Sequence, residues 1–247
     1  MTRRAWRQLL LGSAVLLAVA GPARADLLVN GGFESTNFTG SSQFGDNYAG
    51  GVNQVTGWTT NGYNWLYQPG QADDLGVANG GTYGNVWLWG PRNGAANGLP
   101  DTSPAGGNYV AADGAFGVSP ISQLVSGLVP GANYAVTFWW AGAQQYGFDG
   151  PNTEQWAVSL GADTQYTPVL DNASHGFTGW QQSTMTFTAR AATETLAFLA
   201  IGTPPGVPPF SLLDGVTMNA VPEPSTLVAG VGLVALGGLL LRRRRAG

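Results

Sequence analysis

Residues 130–140 read Pro-Gly-Ala-Asn-Tyr-Ala-Val-Thr-Phe-Trp-Trp. Pro130 and Gly131 mark a turn, and the alternation that follows sets Tyr134, Val136, Phe138 and Trp140 on one face of an extended chain, with Ala135, Thr137 and Trp139 on the other. The stretch predicts a core strand. Because Trp139 and Trp140 face opposite ways, one of them has to leave the core or meet a second buried layer.

The same signal recurs downstream. Trp156, Val158 and Leu160 alternate, Met185 and Phe187 alternate against Thr184, Thr186 and Thr188, and Leu196–Ile201 is a continuous apolar run suited to a strand buried on both faces. Upstream, Ser35–Asn108 is rich in Gly, Asn, Asp, Trp and Tyr with no sustained period, which predicts long loops or short irregular strands. No segment between the two ends shows a sustained helical period with caps, and no repeat of fixed length is present. With 38 Gly, 15 Pro and nine Trp against 10% charged residues, the composition is that of strands and turns. The expectation is one all-β domain over residues 26–220, large enough for a core of its own.

The ends read differently. Arg3, Arg4 and Arg7 precede the apolar run Leu9–Ala20, which closes on Pro22 and the small-residue site Ala23-Arg24-Ala25, so residues 1–25 are expected to be a signal peptide for Sec-dependent export. Residues 221–247 run Val-Pro-Glu-Pro-Ser-Thr, then an apolar Gly-rich stretch from Leu227 to Leu241, then Arg242–Arg245. That apolar stretch is short for a transmembrane helix, but the arginines can snorkel and are expected to stay cytoplasmic, leaving the domain outside.

All ten basic residues are Arg, and only Arg92 and Arg190 lie in the domain; against thirteen acids they leave it at −11. Nucleic acid and anionic lipid surfaces need a basic stripe, so neither is an expected ligand. No cysteine is present, which excludes disulfides, a thiolate nucleophile and Cys-type zinc sites. His175 is the only histidine, too few for a zinc hydrolase, and it lies in a polar loop. Ser119 and Ser122 lack a Gly-x-Ser-x-Gly setting, and Gly80-Gly81 and Gly106-Gly107 lack the context of a phosphate loop. A glycosidase needs only two carboxylates, for which Asp73-Asp74 and the Asp149–Glu154 loop are the places to look, although acids in such loops are commonly turn formers.

Aromatic density is the stronger signal. Trp58, Tyr63, Trp65 and Tyr67 fall within ten residues of an Asn/Gly-rich segment, and sugar rings offer apolar C–H faces to aromatics while Asn, Gln and Asp take their hydroxyls. Trp58, Trp65 and Tyr67 are the expected stacking surface for a neutral glycan. Trp87 and Trp89 straddle Leu88, point the same way if strand-borne, and are expected in the core.

The C-terminal tail closely resembles the PEP-CTERM sorting signal of exported proteins in exopolysaccharide-producing Gram-negative bacteria. That resemblance implies recognition of Pro222, Glu223 and Pro224 by an exosortase, transient anchoring in the inner membrane, cleavage, and transfer to the cell envelope or the extracellular biofilm matrix. Within the domain, four stretches resemble galactose-binding-like jelly rolls, the fold of many carbohydrate-binding modules: Leu28-Val29-Asn30-Gly31-Gly32-Phe33-Glu34 as a first strand, Ile121-Ser122-Gln123 leading into Leu128–Tyr134, Gly179-Trp180, and Phe210–Val216. The resemblance implies an antiparallel jelly-roll β-sandwich, flanked by the signal helix and the C-terminal transmembrane helix. It further implies a structural Ca²⁺ held by Glu34 and Asp214; in an acidic domain without disulfides, Asp113 is a weaker third candidate ligand. The expected function is a non-enzymatic, polysaccharide-associated exported protein. A structural or adhesive surface protein without a sugar site is the rival reading, and a polysaccharide-active enzyme the third.

Overall fold

The structure, a computed structural model, describes residues 26–47 and 50–222. The expected signal helix, the apolar stretch 227–241, Glu223, Pro224 and the arginine cluster lie outside the described residues; among those described, no helix is long and apolar enough to cross a membrane. The strands are, in order, β1 (Ser42–Gln43), β2 (Asn64–Tyr67), β3 (Tyr109–Asp113), β4 (Ile121–Ser126), β5 (Asn133–Gln144), β6 (Asn152–Leu160), β7 (Asp163–Tyr166), β8 (Leu170–Asn172), β9 (Gln181–Thr188), β10 (Thr193–Thr203) and β11 (Pro209–Ala220). One 3-10 turn, Pro91–Asn93, is the helical exception among the described residues.

Two antiparallel sheets result, one ordered β1-β2-β3-β11-β5-β9 and the other β4-β10-β6-β7, with β8 also paired to β6. From β3 onward the chain passes repeatedly from one sheet to the other, which is how a jelly roll closes a sandwich without parallel crossovers. The expected core strand is β5, which pairs with β11 on one side and β9 on the other. Its Tyr134, Val136, Phe138 and Trp140 are buried between the sheets as the alternation requires, and Trp139 on the other face is half-buried. The β11 register is interrupted between Asp214 and Thr217, where Gly215 takes a left-handed conformation (φ 58°), so the strand bulges beside Trp139.

The inter-sheet core is held by rings. Phe198 of β10 meets Trp58, Phe138 and Trp156 with centroids at 6.3, 5.1 and 6.0 Å, all edge-on. A second hydrophobic layer lies on the outer face of the six-stranded sheet: Trp65 and Tyr67 of β2, Tyr109 and Ala111 of β3, and Phe210 and Leu212 of β11 are covered by Ala72, Val86, Leu88 and Leu99. The irregular Ser35–Asn108 stretch therefore contributes a lid over half a sheet.

Two expectations are corrected. Leu28–Glu34 is not a strand: Asn30 and Phe33 have φ of 56° and 58°, which breaks extended pairing. The segment is tied down piecewise, by Leu27 N–H to Met218 O, by Val216 N–H to Gly31 O, and by the Gln123 amide, which accepts from Val29 N–H and donates to Val29 O (2.7 and 2.8 Å). The run Leu196–Ile201 is buried on one face only; Leu196, Phe198 and Ala200 face the core, and Ala197, Leu199 and Ile201 are half-buried because nothing covers that side as fully.

Asp113 ends β3 and is buried; its Oδ1 accepts the N–H groups of Ala115 and Phe116 at 2.8 and 3.0 Å, closing the turn that follows. Burial outweighs these hydrogen bonds and pushes its carboxyl up to about 6. The unfolded chain, with its ordinary lower value, releases this proton first, so Asp113 costs the fold stability progressively as pH rises from about 4 to 6, and the cost is constant above that. Asp113→Asn keeps the acceptor oxygen, so it should gain about 1–3 kcal/mol over wild type at pH 7 and close to nothing at pH 3.5. Urea unfolding at the two pH values checks this; an equal difference at both would refute it.

Candidate functional site

Trp58, Trp65 and Tyr67, the expected stacking surface, are 2%, 0% and 0% exposed. Each is held from within: Trp58 Nε1 donates to Asn30 O (2.9 Å), Trp65 Nε1 to Asn79 O (3.2 Å) and Tyr67 OH to Val86 O (2.9 Å). Rings buried on all sides have no face to give a sugar, so this expectation is corrected. For Trp65 and Tyr67 the cause is that β2 is covered on both faces, by the inter-sheet core and by the second layer; Trp58, outside β2, packs in the inter-sheet core against Phe33 and Phe198.

Two exposed rings lie one step farther out. Trp65 packs edge-on against Tyr63 at 4.5 Å, and Tyr63 supports Phe116 at 5.1 Å and Tyr83 at 6.2 Å. Tyr83 and Phe116 are 67% and 48% exposed, and their centroids lie 6.1 Å apart at 64°. Two built turns present them. Phe116 rides on the turn closed by Asp113, pinned to β2 by Tyr63 N–H donating to Gly117 O (2.9 Å). Tyr83 sits in a Gly-rich turn fixed by Thr82 N–H to Gln43 Oε1 (2.7 Å) and Gly84 N–H to Gly81 O (3.1 Å). Gly81 lies directly on Trp65: a Cβ there would come within 2.4 Å of the indole. Two inclined, exposed rings on a rigid aromatic base can take the C–H faces of a saccharide. Neither ring was singled out from sequence, since isolated aromatics in Gly/Ala loops carry no periodic signal.

Trp87 and Trp89, expected in the core, are half-buried and lie outside any strand; Val86 and Leu88 are the buried residues here. Trp89 stacks on the His175 imidazole at 3.8 Å and meets Tyr146 at 4.5 Å. His175 is anchored by its own N–H to Gln144 Oε1 (2.6 Å), by Nε2 to Asp149 Oδ1 (2.6 Å), and by Asn97 Nδ2 to its carbonyl (2.9 Å), in a left-handed conformation (φ 60°). No serine or threonine hydroxyl among the described residues is bonded to this imidazole. Of the other carboxylates considered for catalysis, Asp73 is neutralised by Arg92 (3.0 Å) and Asp74 closes a turn with Gly76 N–H (2.9 Å). Glu154 is enclosed between the sheets while Asp149 is open to water, so they do not flank a common cleft.

Glu34 and Asp214 are linked through one turn, Ser103–Asn108. Asn108 N–H donates to Glu34 Oε1 (2.8 Å), the Ser103 hydroxyl donates to Asp214 Oδ2, and Gly215 N–H donates to Asp214 Oδ1 (2.6 Å). Gly107 is required at the crossing, because a Cβ there would lie 1.9 Å from Glu34 Oε1. Burial first, and the Glu34 charge in addition, hold the Asp214 carboxyl at about 7 despite its hydrogen bonds. Two carboxylates drawn together, with Arg92 and Arg190 engaged by other aspartates, are a donor set that fits a hard cation. Among the described residues no group of three or more His, Cys, Asp or Glu gathers, so carbonyls and water would have to complete its shell. Asp113 is not a third ligand: it faces Phe210, four residues along β11 from Asp214 and thus about 13 Å away.

An open groove of about 480 Å³ runs beside β4, lined among others by Val29, Thr56, Thr59, Ser122 and Leu124. Val29 and Leu124 are exposed along it.

No family model matches the chain, and no curated protein matches it. Among solved structures it is similar to a family 61 carbohydrate-binding module in complex with β-1,4-galactotriose, at 13% identity and TM-score 0.39 over 80% of this chain and 100% of that one. It is similar to the C-terminal family 6 carbohydrate-binding module of LamC, a laminarinase from Zobellia galactanivorans, at 13% identity and TM-score 0.31 over 62% and 98%. It is also similar to the enzymatically active domain of tailspike protein 4 of bacteriophage CBA120, at 12% identity and TM-score 0.34 over 79% of this chain and 21% of that one.

Proposed function

We infer that the chain is an exported, non-catalytic module that associates with polysaccharide at the cell envelope or in the extracellular matrix. The observation that carries this reading is the pair of exposed rings, Tyr83 and Phe116, mounted on Tyr63 and Trp65. With thirteen acids against two arginines in the domain, the ligand is a neutral glycan, since an anionic one would be repelled. The Tyr83 and Phe116 faces take pyranose C–H groups. A glycan array on the purified protein should give retention on one neutral class. Tyr83→Ala and Phe116→Ala should each weaken it by about 1–2 kcal/mol with little change in melting temperature; retention unaffected by both substitutions would sink the assignment.

Sorting belongs to the same reading. Pro222-Glu223-Pro224, the apolar stretch and the arginines make an exosortase substrate, and the membrane is a partner only until the tail is removed. Intact-mass analysis of surface protein from a host with exosortase should show loss of Arg242–Arg245; mature protein retaining them would rule it out.

Glu34 and Asp214 hold a structural Ca²⁺ that ties the start of the domain to its last strand. Millimolar Ca²⁺ should raise the melting temperature and EDTA lower it, and Asp214→Asn should reduce the response. A wild-type protein indifferent to both reagents would remove the ion. A structural or adhesive role is favoured by exposed Val29 and Leu124 along the β4 groove; it would show as self-association with no retention on any glycan.

A further inference from the structure

Strand β6 carries a carboxylate into the interior. Asn152, Glu154 and Trp156 follow one another on its inner face, and Trp156 belongs to the inter-sheet core. Glu154 is 0% and Asn152 3% exposed. Glu154 Oε1 receives one long contact from Asn172 Nδ2 (3.4 Å), Glu154 Oε2 has no hydrogen-bond partner, and neither has Asn152 Oδ1. The β6–β8 register sets Asn172 directly beside Asn152, so the three polar side chains share one end of the sandwich. From the opposite sheet Gly142 of β5 leaves room for the carboxylate: a Cβ there would lie 2.3 Å from Glu154 Oε2. Gly176 does the same for Asn172, whose Oδ1 would be 2.1 Å from a Cβ at that position.

A buried carboxylate oxygen and a buried amide oxygen without partners are costly, and native interiors rarely leave such atoms bare. The described basic groups are engaged elsewhere, Arg92 with Asp73 and Asp101, Arg190 with Asp163, and His175 with Asp149. We propose that Glu154 and Asn152 form a second, interior cation site, occupied by Ca²⁺ and positioned by Asn172. The donors are all oxygen, which selects a hard cation, and the enclosure disfavours Mg²⁺, which keeps several of its waters. A single carboxylate among neutral donors gives the weak affinity of extracellular calcium modules, a Kd of about 0.1–1 mM. The ion ties β6 and β8 to the face of β5 at the end where the 145–151 and 173–180 loops carry Tyr146 and His175.

The test separates this site from the Glu34–Asp214 pair. Purified protein carrying Asp214→Asn is titrated with CaCl₂ to about 5 mM, with bound ions counted by native mass spectrometry and unfolding followed by heat. The expected result is one ion retained in the variant, a melting temperature raised by Ca²⁺ and unmoved by Mg²⁺, and loss of both effects on adding Glu154→Gln or, independently, Gly142→Ala. If Asp214→Asn fails to fold by near-ultraviolet circular dichroism, Glu34→Gln replaces it. A variant that binds no ion, or one in which Glu154→Gln leaves binding intact, overturns the interior site. Wild-type protein binding one ion that Asp214→Asn abolishes overturns it too, while leaving the Glu34–Asp214 ion standing.

Discussion

The outer face of the six-stranded sheet has to be kept from water. Strands β2, β3 and β11 each place large apolar side chains there, Trp65, Tyr67, Tyr109, Phe210 and Leu212 among them, while their other faces fill the space between the sheets. A sheet apolar on both sides needs two covers, and the second comes from the segment between β2 and β3. That segment has little regular structure, so its polar groups are satisfied one at a time: Asn79 Oδ1 accepts Val86 N–H at 2.8 Å and Asn93 Nδ2 donates to Leu88 O at 2.7 Å. Tyr83 reaches the surface because the chain must turn there to complete the cover.

The same constraint decides what could be read from the residues. Strands β5 and β9, and β6 from Trp156 onward, have one apolar face and a contrasting one, and their alternation is plain in the sequence. Strand β2 has no contrast, because Asn64, Trp65, Leu66 and Tyr67 are all buried, so a dense run of rings reads as a binding surface although it is packed on both sides. Leu28–Glu34 looked extended because its left-handed residues are Asn30 and Phe33, and a phenylalanine gives no warning of such a conformation. Tyr83 and Phe116 gave no signal, since exposure in loops is set by what the rest of the chain covers. The linkage of Glu34 to Asp214 was legible only by resemblance, because 180 residues of sequence separate two groups that one turn brings together.

Charge is arranged economically. Arg92 bridges buried Asp73 and exposed Asp101 and so staples the cover to itself, and Arg190 holds Asp163 at the far edge. Among the other buried acids, Asp113, Asp214 and Glu154 have no basic partner among the described residues, and burial is the largest cause raising each of them. With so few bases, what meets these acids is hydrogen-bond donors: the Ala115 and Phe116 N–H groups at Asp113, the Ser103 hydroxyl and Gly215 N–H at Asp214, and the Asn172 amide at Glu154.

The Gln123 amide offers Val29 one donor and one acceptor, as the backbone of a neighbouring strand would, so a side chain completes the margin of the β4 sheet where the chain itself does not. Such a patch ages chemically in a way that backbone pairing does not. Deamidation exchanges the nitrogen for oxygen and sets a carboxylate against the Val29 carbonyl, turning a clasp into a repulsion. The durability of the seam between Val29 and β4 is then bounded by the lifetime of one amide.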